Sequence, residues 1–428
     1  MAEIFGTNGD DTLVGSAAAD SIYAMAGDDV VSDGNGNDLV FLGDGADSIT
    51  MTADGLGDTV LGGAGNDTVN LNAESLAFGV SGQINEIYLG DGADSVTGAG
   101  AGDMINIIGG GDGADTIAVG AGADTIYGGD GDDVVTSTGG DDVIFLGAGN
   151  ETFTAVAGDN LVYGGADEDS LTGGATDSDT LFGGDGADTL TGGGGDALLG
   201  GGAGNDVLVG AGGDETMYGG SGNDVMSSGG GDDEIYGGAG IDTITVDGND
   251  TVFGGGDADS IVVGTAGGNE VYAGDGNDLI SSSFAGNELG GGAGDDTIST
   301  SAADTVFGGE GADSIVSSGG GAELFGGAGA DTIAAVDGDE VTGGAGDDVL
   351  NFTGLAGGGT ENVTVTDFDD DGNDMVVLDS GDTVDFNFDT TTQPGDVIVT
   401  VTDGGGTFTI TFEDTDASQI SSDDFMFV

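Results

Sequence analysis

The chain has 428 residues, with 81 acidic side chains, no lysine, arginine or histidine, and a formal charge of −81. Such a surface repels nucleic acid and anionic membranes and leaves cations as its natural partners. The absence of histidine, cysteine and lysine also removes nucleophilic triads, zinc sites built on those ligands, and P-loops.

The first residues, MAEIFGTNGDDTLVG, pass almost at once into a glycine-rich phrase and lack the basic and apolar regions of a secretory leader. The clearest copy of that phrase is Gly62–Asn70, GGAGNDTVN; Gly183–Thr191, Gly219–Ser227, Gly237–Thr245 and Gly326–Ala334 repeat it. Its glycines permit a tight turn, its acid offers a hard oxygen ligand of the kind Ca²⁺ prefers, and its last three residues suit a short strand. Aligned on the acid position two residues before an apolar one, about 37 units follow each other between Gly6 and Asn351. The apolar row opens with Leu13, Ile22, Val31, Val40, Ile49, Val60 and Val69 and closes with Ile315, Leu324, Ile333, Val341 and Leu350, with no charge in it. A row of this kind predicts the thin core of a solenoid, which grows by adding coils and not by enlarging one globule. Glycine at 98 residues with one proline, Pro394, excludes collagen, and no cysteine is present to brace the fold. The apolar stretches are a few residues long, too short to span a membrane as helices.

A second period underlies the first. Strong turns fall at Asp11, Asp29, Asp47, Asp67, Asp94, Asp115, Asp133, Glu151, Asp169 and Asp188, then at Asp206, Asp224, Asp242, Asp259, Asp278, Asp296, Asp313, Asp331 and Asp348. These acids are the candidate metal ligands. Weaker turns alternate with them, ending for example at Asn160, Ala197, Asn287 and Ala322. Two nonapeptides per coil would stack strong turns on one edge and weak turns on the other, with metal depleted on the weak edge, particularly after about residue 150. The turns at Val246–Asp250 and Thr300–Asp304 lack the glycine pair and are expected to be metal-free. Residues 72–83 read as a loop bulging from the weak edge.

The GGxGxDxUx grammar over roughly residues 6–351 resembles the RTX calcium-binding nonapeptide, a repeat of hemolysin-type secreted proteins. The resemblance implies an all-β parallel β-roll holding multiple Ca²⁺ ions between stacked turns, in a protein exported through a type I channel.

After Asn351 the grammar changes. Residues 352–360 form a glycine-rich junction, and residues 361–428 alternate in the manner of strands. Val397, Val399 and Val401 lead across Asp403–Gly406 to Phe408, Ile410 and Phe412, which reads as a hairpin. The expected organisation is therefore a β-roll over 1–351, a junction, and a small antiparallel cap over 361–428. Val365–Leu378 and Asp423–Val428 are similar to the C-terminal region of RTX exoproteins, which implies a type I secretion signal there.

Repeat and cap together leave no separate region for an active site, although a glycosidase-type carboxylate pair is formally available among so many acids. The leading expectation is a secreted, extracellular, non-enzymatic structural protein: a Ca²⁺-dependent, self-associating subunit of a surface layer, filament or matrix. The alternative is a monomeric adhesin that binds a cell-surface polysaccharide. An exposed aromatic platform would favour it, and Tyr23, Phe41, Tyr127, Phe145, Tyr163 and Phe182 recur beside the inward row.

Overall fold

The computed structural model describes residues 2–52, 56–71, 84–98, 104–353, 361–368, 373–387, 396–402, 407–413, 415 and 419–428. The loop expected at 72–83, most of the junction and the turn at 403–406 lie outside these residues. The chain divides into two compact units, Met1–Ser221 and Gly222–Val428. Each is a parallel β-solenoid, and together they hold about 18 turns.

In the first unit each coil contributes one strand to each of two sheets. Strands of six or more residues, such as Leu39–Asp44, Thr59–Ala64 and Ile84–Asp91, make the long sheet; short strands such as Ser48–Thr50 and Thr68–Asn70 make the other. Stacking is in register, so that Val40 pairs with Val60 and Val60 with Ile87. Successive coils therefore place like residues in columns, and the inward column is sealed: Ile22, Val40, Val60, Ile87 and Ile108 are all 0 % exposed. The second unit repeats this arrangement, with Ile235, Val252, Val271 and Leu289 in its column.

The long strands run through the glycine pair into the strong turn. Gly63 pairs with Gly43, and the Gly65 amide donates to the Asp91 carbonyl at 2.7 Å. The strong turn is thus held by the sheet's own ladder. The weak turn follows a short strand and has less ladder to fix it. The second glycine of the pair is the one the stack requires: a Cβ on Gly63, at φ 124°, would lie 2.1 Å from the Gly43 carbonyl oxygen.

The C-terminal residues extend this architecture before changing it. Glu361–Val365 pairs parallel to Glu340–Ala345, and Met375–Leu378 pairs parallel to Val349–Asn351. Both sheets therefore gain a further rung from a segment expected to belong wholly to an antiparallel cap. The antiparallel group begins at Thr383–Asn387, which pairs with Val397–Thr402, which in turn pairs with Thr407–Phe412 as the expected hairpin. Phe368 and Phe412 meet edge to face at 4.9 Å and fill the interior here.

Candidate metal centre

The strong-turn acids form a buried column in each unit. From Asp29 to Asp348 each is between 0 and 3 % exposed. In the first unit the amides of most of these acids donate to Oδ1 of the acid one coil on, as Asp29 does to Asp47 at 2.7 Å, Asp47 to Asp67 at 2.9 Å, Asp67 to Asp94 at 2.7 Å and Asp115 to Asp133 at 2.8 Å. The series continues from Asp169 through Asp188 to Asp206. In the second unit it runs from Asp224 through Asp242, Asp259, Asp278, Asp296, Asp313 and Asp331 to Asp348. One acid outside the predicted set joins it, because the Asp348 amide donates to Asp374 at 3.1 Å. The signal was present: Asp374 stands two residues before Val376, in the same grammar as the repeats.

One oxygen per carboxylate is therefore explained by the fold, and the second is not. Oδ2 of Asp29, Asp47, Asp67, Asp94, Asp115, Asp133, Asp169 and Asp188 is buried without a hydrogen-bond donor, as is Oδ2 of Asp242, Asp259, Asp278, Asp296, Asp313, Asp331 and Asp348. Neighbouring carboxylates along a stack about 4.8 Å per strand repel each other by about 3 kcal/mol at an effective dielectric near 20. Desolvation by burial pushes Asp67, Asp259 and Asp296 up to about 7, and Asp94, Asp133, Asp188, Asp242 and Asp331 up to about 6. With no lysine, arginine or histidine in the chain, only protons or external cations can neutralise this column. Hard carboxylate oxygens held beside turn carbonyls are the donor set that Ca²⁺ takes. The residues fit the ion.

Asp11 departs from the set. Its Oδ2 accepts from the Thr7 amide and from the Thr7 hydroxyl at 2.8 Å, so its own turn satisfies it.

The weak edge carries the same first-oxygen ladder, from Asp20 to Asp38 to Asp58 in the first unit and from Asp233 to Asp250 to Asn269 in the second. Its second oxygens are treated differently. Asp20 takes the Ser16 amide at 2.6 Å, Asp142 the Ser137 hydroxyl, Asp179 the Gly174 amide at 2.6 Å, Asp304 the Thr300 hydroxyl at 2.6 Å and Asp339 the Val336 amide at 2.8 Å. At Asn160 and Asn269, where asparagine replaces the acid, the side-chain NH₂ donates to a carbonyl of its own turn, to Gly158 at 2.9 Å and to Ala266 at 3.0 Å. That donor occupies an oxygen that a cation would otherwise use.

Two weak-edge positions of the first unit keep metal-like chemistry. Oδ2 of Asp124 is buried without a donor. Asp33, Asp38 and Asp58, all buried, bring one carboxylate oxygen each within 4.8 Å of one another. Asp33 stands where strong turns have their first glycine, a substitution that a search for glycine pairs passes over.

The aromatic residues form ladders on the outer face of the long sheet. In the first unit Phe5, Tyr23 and Phe41 stack at 5.1 and 5.0 Å, and Tyr127, Phe145, Tyr163 and Phe182 at 5.4, 5.1 and 5.3 Å. In the second, Tyr236, Phe253 and Tyr272 stack at 5.1 and 5.5 Å. Rings inside a ladder have neighbours over both faces.

Comparison with curated proteins finds no match for the chain. The family model for the RTX calcium-binding nonapeptide repeat matches residues 5–49, 52–73 and 109–354 in overlapping copies. Such repeats bind several calcium ions, the ligand that the buried acid columns were found to fit. By sequence repeat, solenoid and donor set alike, the chain belongs to the RTX calcium-binding nonapeptide repeat family.

Proposed function

We propose that this protein is a secreted structural subunit whose strong-turn acids, from Asp29 to Asp348, hold calcium and which assembles with calcium into a layer, filament or matrix. The observation that carries the reading is the column of buried, donorless second oxygens in a chain without a single cationic side chain. Calcium entering that column removes the repulsion within each unit. It also lowers a charge of −81 that otherwise keeps molecules apart. Repeated sheet faces with aromatic ladders then supply contact area that recurs along the solenoid. A contact of that kind builds extended arrays in preference to closed dimers.

The adhesin reading has less support. A sugar-binding platform needs open ring faces, and the ladders cover them. Export fits the C-terminal segment: Met426, Phe427 and Val428 are 45, 46 and 59 % exposed, an apolar end open to a transport machine. On this reading residues 1–351 are the β-roll and 361–428 carry the signal.

Light scattering and negative-stain imaging across a Ca²⁺ titration test the assembly. Growth of extended arrays, reversed by EDTA, is expected. A folded, calcium-loaded monomer at high concentration would overturn the structural reading in favour of the adhesin. Secretion of a chain lacking residues 361–428 would place the export signal elsewhere.

A further inference from the structure

Glu151 is the one strong-turn residue that is not an aspartate. Its amide donates to Asp169 Oδ1 at 2.9 Å, so its backbone keeps the common place in the stack. Its side chain does not. Both Oε1 and Oε2 are buried without a hydrogen-bond donor, and the residue is 1 % exposed. The ladder bond that the Asp133 amide would make to it is therefore missing.

The cause is the extra methylene and not the surrounding turn. Leu146 stands where most strong turns have their first glycine, but Leu42 and Leu89 stand at the same place before Asp47 and Asp94. Those two aspartates accept the ladder bond normally, from Asp29 and Asp67, both at 2.7 Å. In Glu151 the longer arm carries the carboxylate back over its own turn, where a Cβ on Gly149 would lie 2.6 Å from Oε1. There it faces the carboxylate of Asp169, whose Oδ2 is also donorless. Two acceptors face each other, and only a proton or a cation can sit between them.

We propose that Glu151 makes a chelating calcium site, giving both carboxylate oxygens to an ion shared with Asp169 Oδ2, where each aspartate of the row gives one. This rests on reading the strong-turn acids as a calcium row. Ca²⁺ accepts bidentate carboxylates and six to eight oxygens, whereas Mg²⁺ demands near-octahedral geometry and keeps its waters. The Glu151 site is thus the most calcium-selective of the first unit and the last to be emptied by magnesium.

Equilibrium dialysis of the full chain with radioactive calcium in excess Mg²⁺ tests this. The unaltered chain should retain a class of about one ion bound about tenfold more tightly than the rest. Glu151→Asp should merge that class with the bulk while leaving the number of ions without Mg²⁺ unchanged, because it restores the one-oxygen arrangement. Glu151→Gln should lose the tight ion altogether. Circular dichroism in saturating calcium shows that each variant is folded. A Glu151→Asp curve superimposable on that of the unaltered chain in Mg²⁺ would overturn the proposal while leaving the calcium row intact. Absence of calcium binding by the unaltered chain would bring down the row itself.

Discussion

In the second unit Asp259, Asp278 and Asp296 on one edge, and Asp304 and Asp339 on the other, all give Oδ1 to a backbone amide one coil back. They part company at the second oxygen. On the strong edge it is buried with no donor; on the weak edge Thr300 or the Val336 amide supplies one. The backbone ladder is thus a scaffold common to both edges, and the choice between a metal-requiring and a self-sufficient turn rests on one hydrogen bond. Leaving a buried acceptor unpaired costs about 1–3 kcal/mol, more for a charged group. Across a whole column that cost exceeds an ordinary domain's stability of about 5–15 kcal/mol, so the strong edge is stable only with its counterions.

The largest break in this comparison is calcium removal. Circular dichroism in EDTA should show a coil spectrum and recover β-structure when Ca²⁺ returns; an EDTA spectrum identical to the calcium form would show that the weak edge and core suffice.

Protons should partly replace the metal. Desolvation by burial pushes the strong-edge carboxyls of Asp67, Asp259 and Asp296 up to about 7 and that of Asp242 up to about 6, and it raises Glu151 as well. Folded-state values above the ordinary range mean that the metal-free fold binds more protons than the unfolded chain. The associated stability is therefore present at low pH and lost as pH rises through those values. In chelator, β-structure should be greater at about pH 5 than at about pH 8, and the difference should vanish in saturating calcium. The opposite slope in chelator would contradict the burial of this column.

Single substitutions sharpen the contrast. Asp278→Ala should remove a calcium ligand, lower calcium uptake by at least one ion and reduce thermal stability measured in calcium. Asp304→Ala on the weak edge should leave uptake unchanged and cost about 1–3 kcal/mol, because the buried Asn287 amide and Thr300 hydroxyl lose their acceptor. Calorimetric calcium titration of the two variants separates them.

The smallest effect compares two glycines of one strand. A Cβ on Gly292, at φ 114°, would lie 2.1 Å from the Gly274 carbonyl oxygen, whereas on Gly290 its nearest neighbours are at 3.5 and 3.8 Å. Gly292→Ala should therefore weaken calcium-dependent folding by about 1–3 kcal/mol, as overpacking does. Gly290→Ala should be neutral or raise stability by up to about 1 kcal/mol. Thermal melts in calcium read both.

Much of this was legible because period 18 and period 9 are written in residues whose chemistry is unambiguous. Val60 and Val69 had to point inward, and Asp67 had to lie at a turn. The alternation of strong and weak turns was readable as well. Other features depended on three-dimensional neighbours. That Ser16, Ser137 and Thr300 lie near the second oxygens of weak-edge acids is a matter of turn conformation, although a hydroxyl residue four or five places before the acid is a usable signal. Asp33 was hidden because its partners Asp38 and Asp58 belong to successive coils. The extension of the solenoid by Glu361–Val365 and Met375–Leu378 was missed because alternation looks alike in parallel and antiparallel strands. Aromatic recurrence was visible, but whether ring faces were open or covered depended on the stacking.

The two edges thus share the amide-to-Oδ1 ladder and differ in metal. A crystal structure grown in calcium, with anomalous scattering used to locate the ions, tests it directly. Calcium is expected along the strong edge, bound by acids such as Asp242, Asp259 and Asp278, with little or none on the weak edge beyond about residue 150. Equal occupancy of both edges in that region would contradict it.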